Sequence, residues 1–356
     1  MDVVAHDPYA PQPPERPGRD GAPSASTAIA VGPKIPATVL TGFLGSGKTT
    51  LLNYILTANH GKRIAVIENE FGEIAIDDTL VMTADEEIFE MNNGCCLCCT
   101  ARTDLIRILH TLLERRDRFD RILVETTGLA DPNPVAQTFF VDAELSRHIA
   151  LDAIVTLVDA KHIGRHLDEV AHDGVGDQAW DQIAFADRLI INKVDLVDGD
   201  DLRTLTDRLR GINATAPILT SSYAQIDLDE ILGVGAFDLS RTMAIAPDWL
   251  ETDDHEHDPT LSSVGLELDR DIDPDRLDTW LGRLVADHGD DIFRLKGILA
   301  LKGDSRRCVL QGVHRLVERR SVDAWGTEPR RSRIVFIGRN LDRQALTAAL
   351  AGCATD

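Results

Sequence analysis

The eight residues Gly42-Phe-Leu-Gly-Ser-Gly-Lys-Thr49 constrain this chain more than any other stretch. They match G-x-x-x-x-G-K-[ST] and lie where that pattern has meaning, between a short apolar run at 37–41 and a helical pattern at 49–59. A strand that feeds such a loop belongs to a parallel sheet, with the phosphate site at the strand's carboxyl end. Gly42, Gly45 and Gly47 let backbone N–H groups turn inward, and Ser46, Thr49 and Thr50 flank the phosphate positions. Lys48 is expected to neutralise the β- and γ-phosphates, and the Thr49 hydroxyl to ligate Mg²⁺.

Two further stretches fit a nucleotide of one kind. Residues 121–128 (RILVETTG) put Glu125 at the end of an apolar strand, where its carboxylate would lie near Mg²⁺ and help order the attacking water. Gly128 would bring its N–H to the γ-phosphate, so this turn can sense hydrolysis. Asn192-Lys193-Val194-Asp195 follows another apolar run, 188–191. The Asp195 carboxylate can accept both the N1–H and the 2-amino protons of guanine. Adenine offers neither, and a buried unmatched polar group costs about 1–3 kcal/mol, so the site prefers GTP. Asn192 supports the base pocket and the stem of Lys193 can lie over the ring.

A second chemistry sits in Cys95-Cys96-Leu97-Cys98-Cys99. Thiolates bind soft metal ions, and Zn²⁺ takes four donors in a tetrahedron. Cys96 and Cys98 point the same way from an extended segment, while Cys99 converges only if the chain bends. The remaining ligands must come from another cysteine, a carboxylate or a histidine; Glu68, Glu70 and Glu73 lie just before. The two other cysteines, Cys308 and Cys353, stand alone and read as packing residues, so there is no disulfide framework and the chain reads as reduced and cytoplasmic. A formal net charge of -22 argues against nucleic-acid and anionic-membrane partners.

Strands at 37–41, 63–68, 121–125, 153–158 and 188–191 alternate with helical patterns, which indicates a mostly parallel sheet covered on both faces. One of those helical patterns follows the cysteines, with Leu105, Ile106, Leu109, Leu112 and Leu113 on one face. Residues 1–35 are proline-rich and read as a disordered tail; 69–85 is acidic and reads as a mobile loop. Residues 36–240 form the phosphate-loop domain and 241–260 an acidic linker, in which His255 and His257 read as solvated rather than as a metal store. Residues 261–352 form a smaller α+β domain, with strands at 263–268, 293–301, 308–318 and 333–337 and helices at 274–287 and 342–351.

The set GFLGSGKTT (42–50), ENEFGEIAIDD (68–78), CLCC (96–99), ETTGLADP (125–132) and NKVD (192–195) resembles the CobW-like metallochaperone GTPases. RLKGILA (294–300) and RIVFIG (333–338) are similar to their C-terminal domain, so the resemblance covers about 36–352. It implies GTP hydrolysis coupled to delivery of a divalent metal to a client metalloprotein, zinc in many members and cobalt in some. It also implies a metal site at Cys96, Cys98 and Cys99, assisted by Glu68 and Glu73. Cys95 is additional to that pattern, and the linker has two histidines where many relatives carry a long run. The rival readings are a zinc sensor or store that uses nucleotide structurally, and a small-molecule kinase, which Asp195 opposes.

Overall fold

The computed structural model describes residues 33–58, 60–68, 88–90, 100–168, 175–236 and 261–355. The first half runs β1 (Ile35–Gly42), α1 (Lys48–Thr57), β2 (Ile64–Glu68), β3 (Ile88–Glu90), α2 (Thr100–Leu113), β4 (Arg121–Glu125), α3 (Asn133–Val141), α4 (Leu145–His148) and β5 (Ile149–Asp159). It continues through α5 (Ile163–Asp168), α6 (Val175–Phe185), β6 (Arg188–Asn192), α7 (Gly199–Ile212) and β7 (Ile218–Ser221). The strands pair in the order β3-β2-β4-β1-β5-β6-β7, all parallel. Side chains alternate along each strand, so the sheet feeds two cores. Val39, Ile67, Val124 and Ile191 meet α2, α3, α6 and α7 on one side. Leu40, Val66, Leu123 and Ile190 meet α1 and the segment 224–236 on the other.

The second half runs β8 (Leu261–Leu268), α8 (Pro274–His288), β9 (Ile292–Ala300), β10 (Arg306–Val313), β11 (Leu316–Ala324), β12 (Ser332–Arg339) and α9 (Arg343–Gly352). The strands form an antiparallel sheet in the order β11-β10-β9-β12-β8. Asp273 and Asp342 start the two helices, each carboxylate accepting two backbone N–H groups that a helix cannot satisfy itself. One face of the sheet packs on these helices through Leu266, Leu295, Phe336, Leu281 and Leu350. Phe293, Val313, Val335 and Ile337 point the other way and join the core of the first half.

That second face is held by charge as well as apolar contact. The register slips opposite Ile292–Arg294, so Phe293 and Arg294 both serve the side facing the first half. Phe293 stacks on Phe185 at the end of α6, with ring centroids 5.4 Å apart. Asp187, fully buried between α6 and β6, accepts from Arg294 Nη2 at 2.5 Å and Lys296 Nζ at 2.9 Å, while its second oxygen accepts from Ile154 N. Burial alone would push its carboxyl up, but Arg294 and Lys296 outweigh it and hold the group below the ordinary carboxylate value. The described residues from Pro33 onward accordingly form one compact unit.

The parallel sheet, its covering helices and the antiparallel second sheet agree with the expected fold class. Three details differ. The run 308–318 is a hairpin rather than one strand: His314 takes a left-handed φ of 48° and turns the chain between β10 and β11 without a glycine or asparagine. The first strand begins at Ile35, inside the stretch expected as tail. The short strands β3 and β7 carry too few residues for a period to be legible. The expected loop at 69–85 and linker at 241–260 lie outside the described residues. Among the described residues, no helix is long and apolar enough to cross a membrane.

Candidate functional site

Seven strands end on one edge of the parallel sheet, at Gly42, Glu68, Glu90, Glu125, Asp159, Asn192 and Ser221. Every motif residue that falls in the described part is on or next to that edge, the position where open parallel sheets bind ligands. The loop between β1 and α1 begins at Gly42 and ends at Gly47, which caps the helix without a side-chain bond, leaving its first N–H groups to the loop. Ser46 is buried, while Gly45, Thr49 and Thr50 face solvent. Lys48 Nζ donates to Gly42 O at 2.8 Å and Phe43 O at 3.4 Å. Burial pulls its pKa below the ordinary lysine value, and the nearby Glu125 opposes this.

Glu125 is buried at the end of β4, in register with Leu40 of β1 and Glu68 of β2. Its Oε1 accepts from Thr49 Oγ1 at 3.3 Å. A hydroxyl and a carboxylate at that separation are hard oxygen donors of the kind Mg²⁺ takes. The chain then turns back over the loop. A side chain at Gly128 would bring its Cβ to 2.7 Å from the backbone N of Leu44, so only glycine lets this turn touch the phosphate loop. Gln182 of α6 fastens the turn, its Nε2 donating to Gly128 O and Ala130 O, each at 3.1 Å. Asp131 braces the start of α3 by accepting from Asn133 N at 2.8 Å. Burial pushes the Asp131 carboxyl up, opposed by its bond to Asn133 and by His314 and Arg339 from the second half.

Asn192 works through the protein. Its Nδ2 donates to Ser46 O at 2.9 Å, and its Oδ1 accepts from Ser221 Oγ at 3.0 Å and Ala224 N at 2.9 Å. It thereby ties the phosphate loop to the turn after β7. Lys193, at a left-handed φ of 64°, donates from Nζ to Gly45 O and to Asp159 Oδ2, both at 2.7 Å. Burial pushes Asp159 up, yet its bonds to Lys193 and His162 win and hold it below the usual carboxylate range. Lys193 thereby links the end of β5 to the phosphate loop. Asp195 stands exposed on the 3₁₀ turn Val194–Leu196.

The candidate metal ligands divide. Glu68 is half-buried at the end of β2, beside Glu125. Cys96, Cys98, Cys99 and Glu73, with Cys95, Glu70, His255 and His257, lie outside the described residues. Among the described residues, no group of three or more His, Cys, Asp or Glu side chains is arranged to hold a metal ion. Cys308 and Cys353 are buried, and burial pushes both thiols up, as suits packing residues.

Sequence reasoning missed Gln182, Asp159, Ser221 and Ala224. Asp159 ends an apolar strand as Glu125 does, a signal that could have found it. Ser221 ends a four-residue strand and Ala224 follows it, and Gln182 sits in a helix where a glutamine usually faces water, so none of them left a pattern.

Comparison with known proteins places these features in context. Residues 36–220 match the CobW/HypB/UreG nucleotide-binding domain, and residues 261–354 match the cobalamin synthesis protein cobW C-terminal domain. The chain is 37% identical over 323 residues to the zinc chaperone YjiA of Escherichia coli, covering 89% of this chain and 98% of that one. It is 32% identical over 354 residues to zinc-regulated GTPase metalloprotein activator 1 of Schizosaccharomyces pombe, covering 87% of this chain and 83% of that one. The crystal structure of Zn(II)-bound YjiA GTPase from E. coli superposes with a TM-score of 0.73 at 33% identity, over 91% of this chain and all of that one (100%).

Proposed function

The chain belongs to the CobW/HypB/UreG family, and from that premise we propose that it is a GTPase that carries a divalent metal, zinc foremost, and delivers it to a client metalloprotein. One observation carries this reading. β2 ends at Glu68 in register with Glu125, whose carboxylate holds Thr49, so the chain leaves for the acidic and cysteine-bearing stretch from beside the phosphate loop. The stretch that carries the candidate metal ligands therefore starts beside the nucleotide site.

The geometry of the phosphate loop and the chemistry of the remaining residues support the following roles. Lys48 exchanges the carbonyls of Gly42 and Phe43 for phosphate oxygens, a swap of neutral for charged acceptors that its positive charge favours. Thr49 and Glu125 would hold Mg²⁺, which when bound neutralises charge on the β- and γ-phosphates. Gly128 meets the γ-phosphate through its N–H, and Asp195 reads guanine, with Asn192 keeping the two readers at a fixed separation. Cys96, Cys98 and Cys99, with Glu68 and Glu73, form the metal site; tetrahedral thiolates suit Zn²⁺ and accept Co²⁺. Such thiols work only where they stay reduced, which fits a cytoplasmic protein.

The test is metal affinity in each nucleotide state. We expect tighter Zn²⁺ binding with a non-hydrolysable GTP analogue than with GDP, lost in Cys96→Ser. By linkage, Zn²⁺ must then favour the analogue over GDP by the same factor. Equal Zn²⁺ affinity in both states would sink the delivery mechanism, and tight GTP binding without turnover would make the protein a zinc store instead.

A further inference from the structure

The γ-phosphate turn has no tight structure of its own. Residues 126–132 make one internal backbone bond, Ala130 N to Thr127 O at 3.1 Å, and otherwise lean on neighbours. Two of its carbonyls, Gly128 O and Ala130 O, converge on a single amide, that of Gln182, which is 1% exposed. The backbone at Gln182 is itself anchored, its main-chain carbonyl accepting from Thr156 Oγ1 of β5 at 2.8 Å. A planar amide with two donors is the one uncharged side-chain group of this reach that can satisfy two carbonyls at once.

The preceding residue extends the support outward. Asp181 accepts from Arg339 Nη2 of β12 at 3.0 Å, and the Arg339 guanidinium lies 5.2 Å from the centre of the Phe293 ring. On one helix, then, adjacent residues grip the nucleotide turn and the second sheet. A buried glutamine that merely filled space would need neither two carbonyls from one turn nor a neighbour tied to the other half.

We infer that Gln182 is a positioning residue for GTP hydrolysis: it sets where the turn at Gly128 meets the γ-phosphate, and Arg339 makes the second sheet part of that setting through Asp181. This rests on the reading of Gly128 as the γ-phosphate contact. GDP, held by residues 42–49 and by the base loop, does not need the turn. Removing Gln182 should therefore separate GTP from GDP, which general loss of packing cannot do.

The experiment compares the full chain with its Gln182→Leu, Arg339→Gln and Leu209→Ala variants. Leu209 is a buried residue of α7 with no hydrogen bond to the turn and supplies a control for lost stability. For Gln182→Leu, kcat for GTP should fall roughly 10- to 100-fold, the scale on which a reacting group misplaced by about 1 Å is felt. GDP affinity should stay within about twofold of wild type, since none of its contacts is lost. Arg339→Gln should shift kcat in the same direction by less, and Leu209→Ala should lower the melting temperature with the GTP-to-GDP affinity ratio intact. A Gln182→Leu protein with wild-type kcat, or one losing GTP and GDP affinity equally, overturns the assignment. Unchanged kcat in Arg339→Gln removes the second sheet from it. A wild-type chain that does not hydrolyse GTP would instead overturn the functional reading itself, and this inference with it.

Discussion

Lys48 and Lys296 are equally buried, each about 8% exposed, yet they keep opposite company. Lys296 meets a carboxylate, Asp187, that Arg294 also holds, and the three side chains fix the second sheet to the first half. Lys48 hydrogen-bonds the neutral carbonyls of its own loop and feels Glu125 only at a distance. A buried charge compensated on site is committed to structure, because removing either partner strands the other. A buried charge leaning on carbonyls remains free to take a better acceptor, and a phosphate oxygen is one. The difference separates a seam from a socket, although both consist of lysines pulled below their ordinary pKa by burial.

The sharpest way to break this contrast is to delete each lysine's partner system and ask what fails. Lys48→Ala should lower GTP turnover by about 10²- to 10³-fold, the cost of losing one charged stabiliser of the transferred phosphoryl group. Its melting temperature should hold or rise, since the desolvation cost of a buried ammonium is gone. Intact turnover in that protein would remove the phosphate loop from the site.

Asp187→Ala should do the reverse. It leaves Arg294 and Lys296 buried without a counter-charge, so denaturant unfolding should show a loss of about 3–5 kcal/mol. GTP affinity of the folded fraction should not move. A stability change near zero would mean that the seam is held by the Phe185–Phe293 stack and its apolar neighbours alone.

The smallest effect is one of pH. Asp187 titrates below the ordinary carboxylate value of 3.8, so its contribution is fully present above that value and fades as pH falls through the lower folded value. Lys48 titrates below the ordinary lysine value of 10.5 and must be protonated to hold phosphate, so GTP affinity should decline as pH rises before that value is reached. Titrating GTP binding on the alkaline side and unfolding on the acid side checks both. Loss of GTP affinity no earlier than for an exposed lysine would show that Lys48 is not the group responsible.

Much of the socket was legible in the sequence, because glycines and apolar runs leave a local imprint. A loop that needs Gly42 and Gly47, and strands that end at Glu125 and Asn192, can be read without knowing what surrounds them. The seam was not legible. Arg294 and Lys296 alternate with apolar neighbours along β9, which reads as a strand with one wet face, and only the other half of the chain makes that face dry. The turn at His314 was hidden for a different reason: a histidine took the backbone conformation that the eye seeks in glycine or asparagine. Gln182 was hidden because its partners are carbonyls 52 and 54 residues away, and no helical period marks such a contact.

The Gly47–Asn192 contact has a consequence for anyone wishing to redirect this protein to another nucleobase. A Cβ on residue 47 would come 2.4 Å from Asn192 Nδ2, so the two loops interlock at a point with no slack. The Asn192 amide also accepts from Ala224 N in the turn after β7 and donates to the phosphate loop. Grafting a foreign base-reading loop after β6 would therefore loosen the grip on the triphosphate as well, and a successful exchange would have to transplant residues 42–49, 192–195 and 221–224 together. Evolution faces the same restriction: in this architecture, taste in bases and hold on phosphates drift as a single trait.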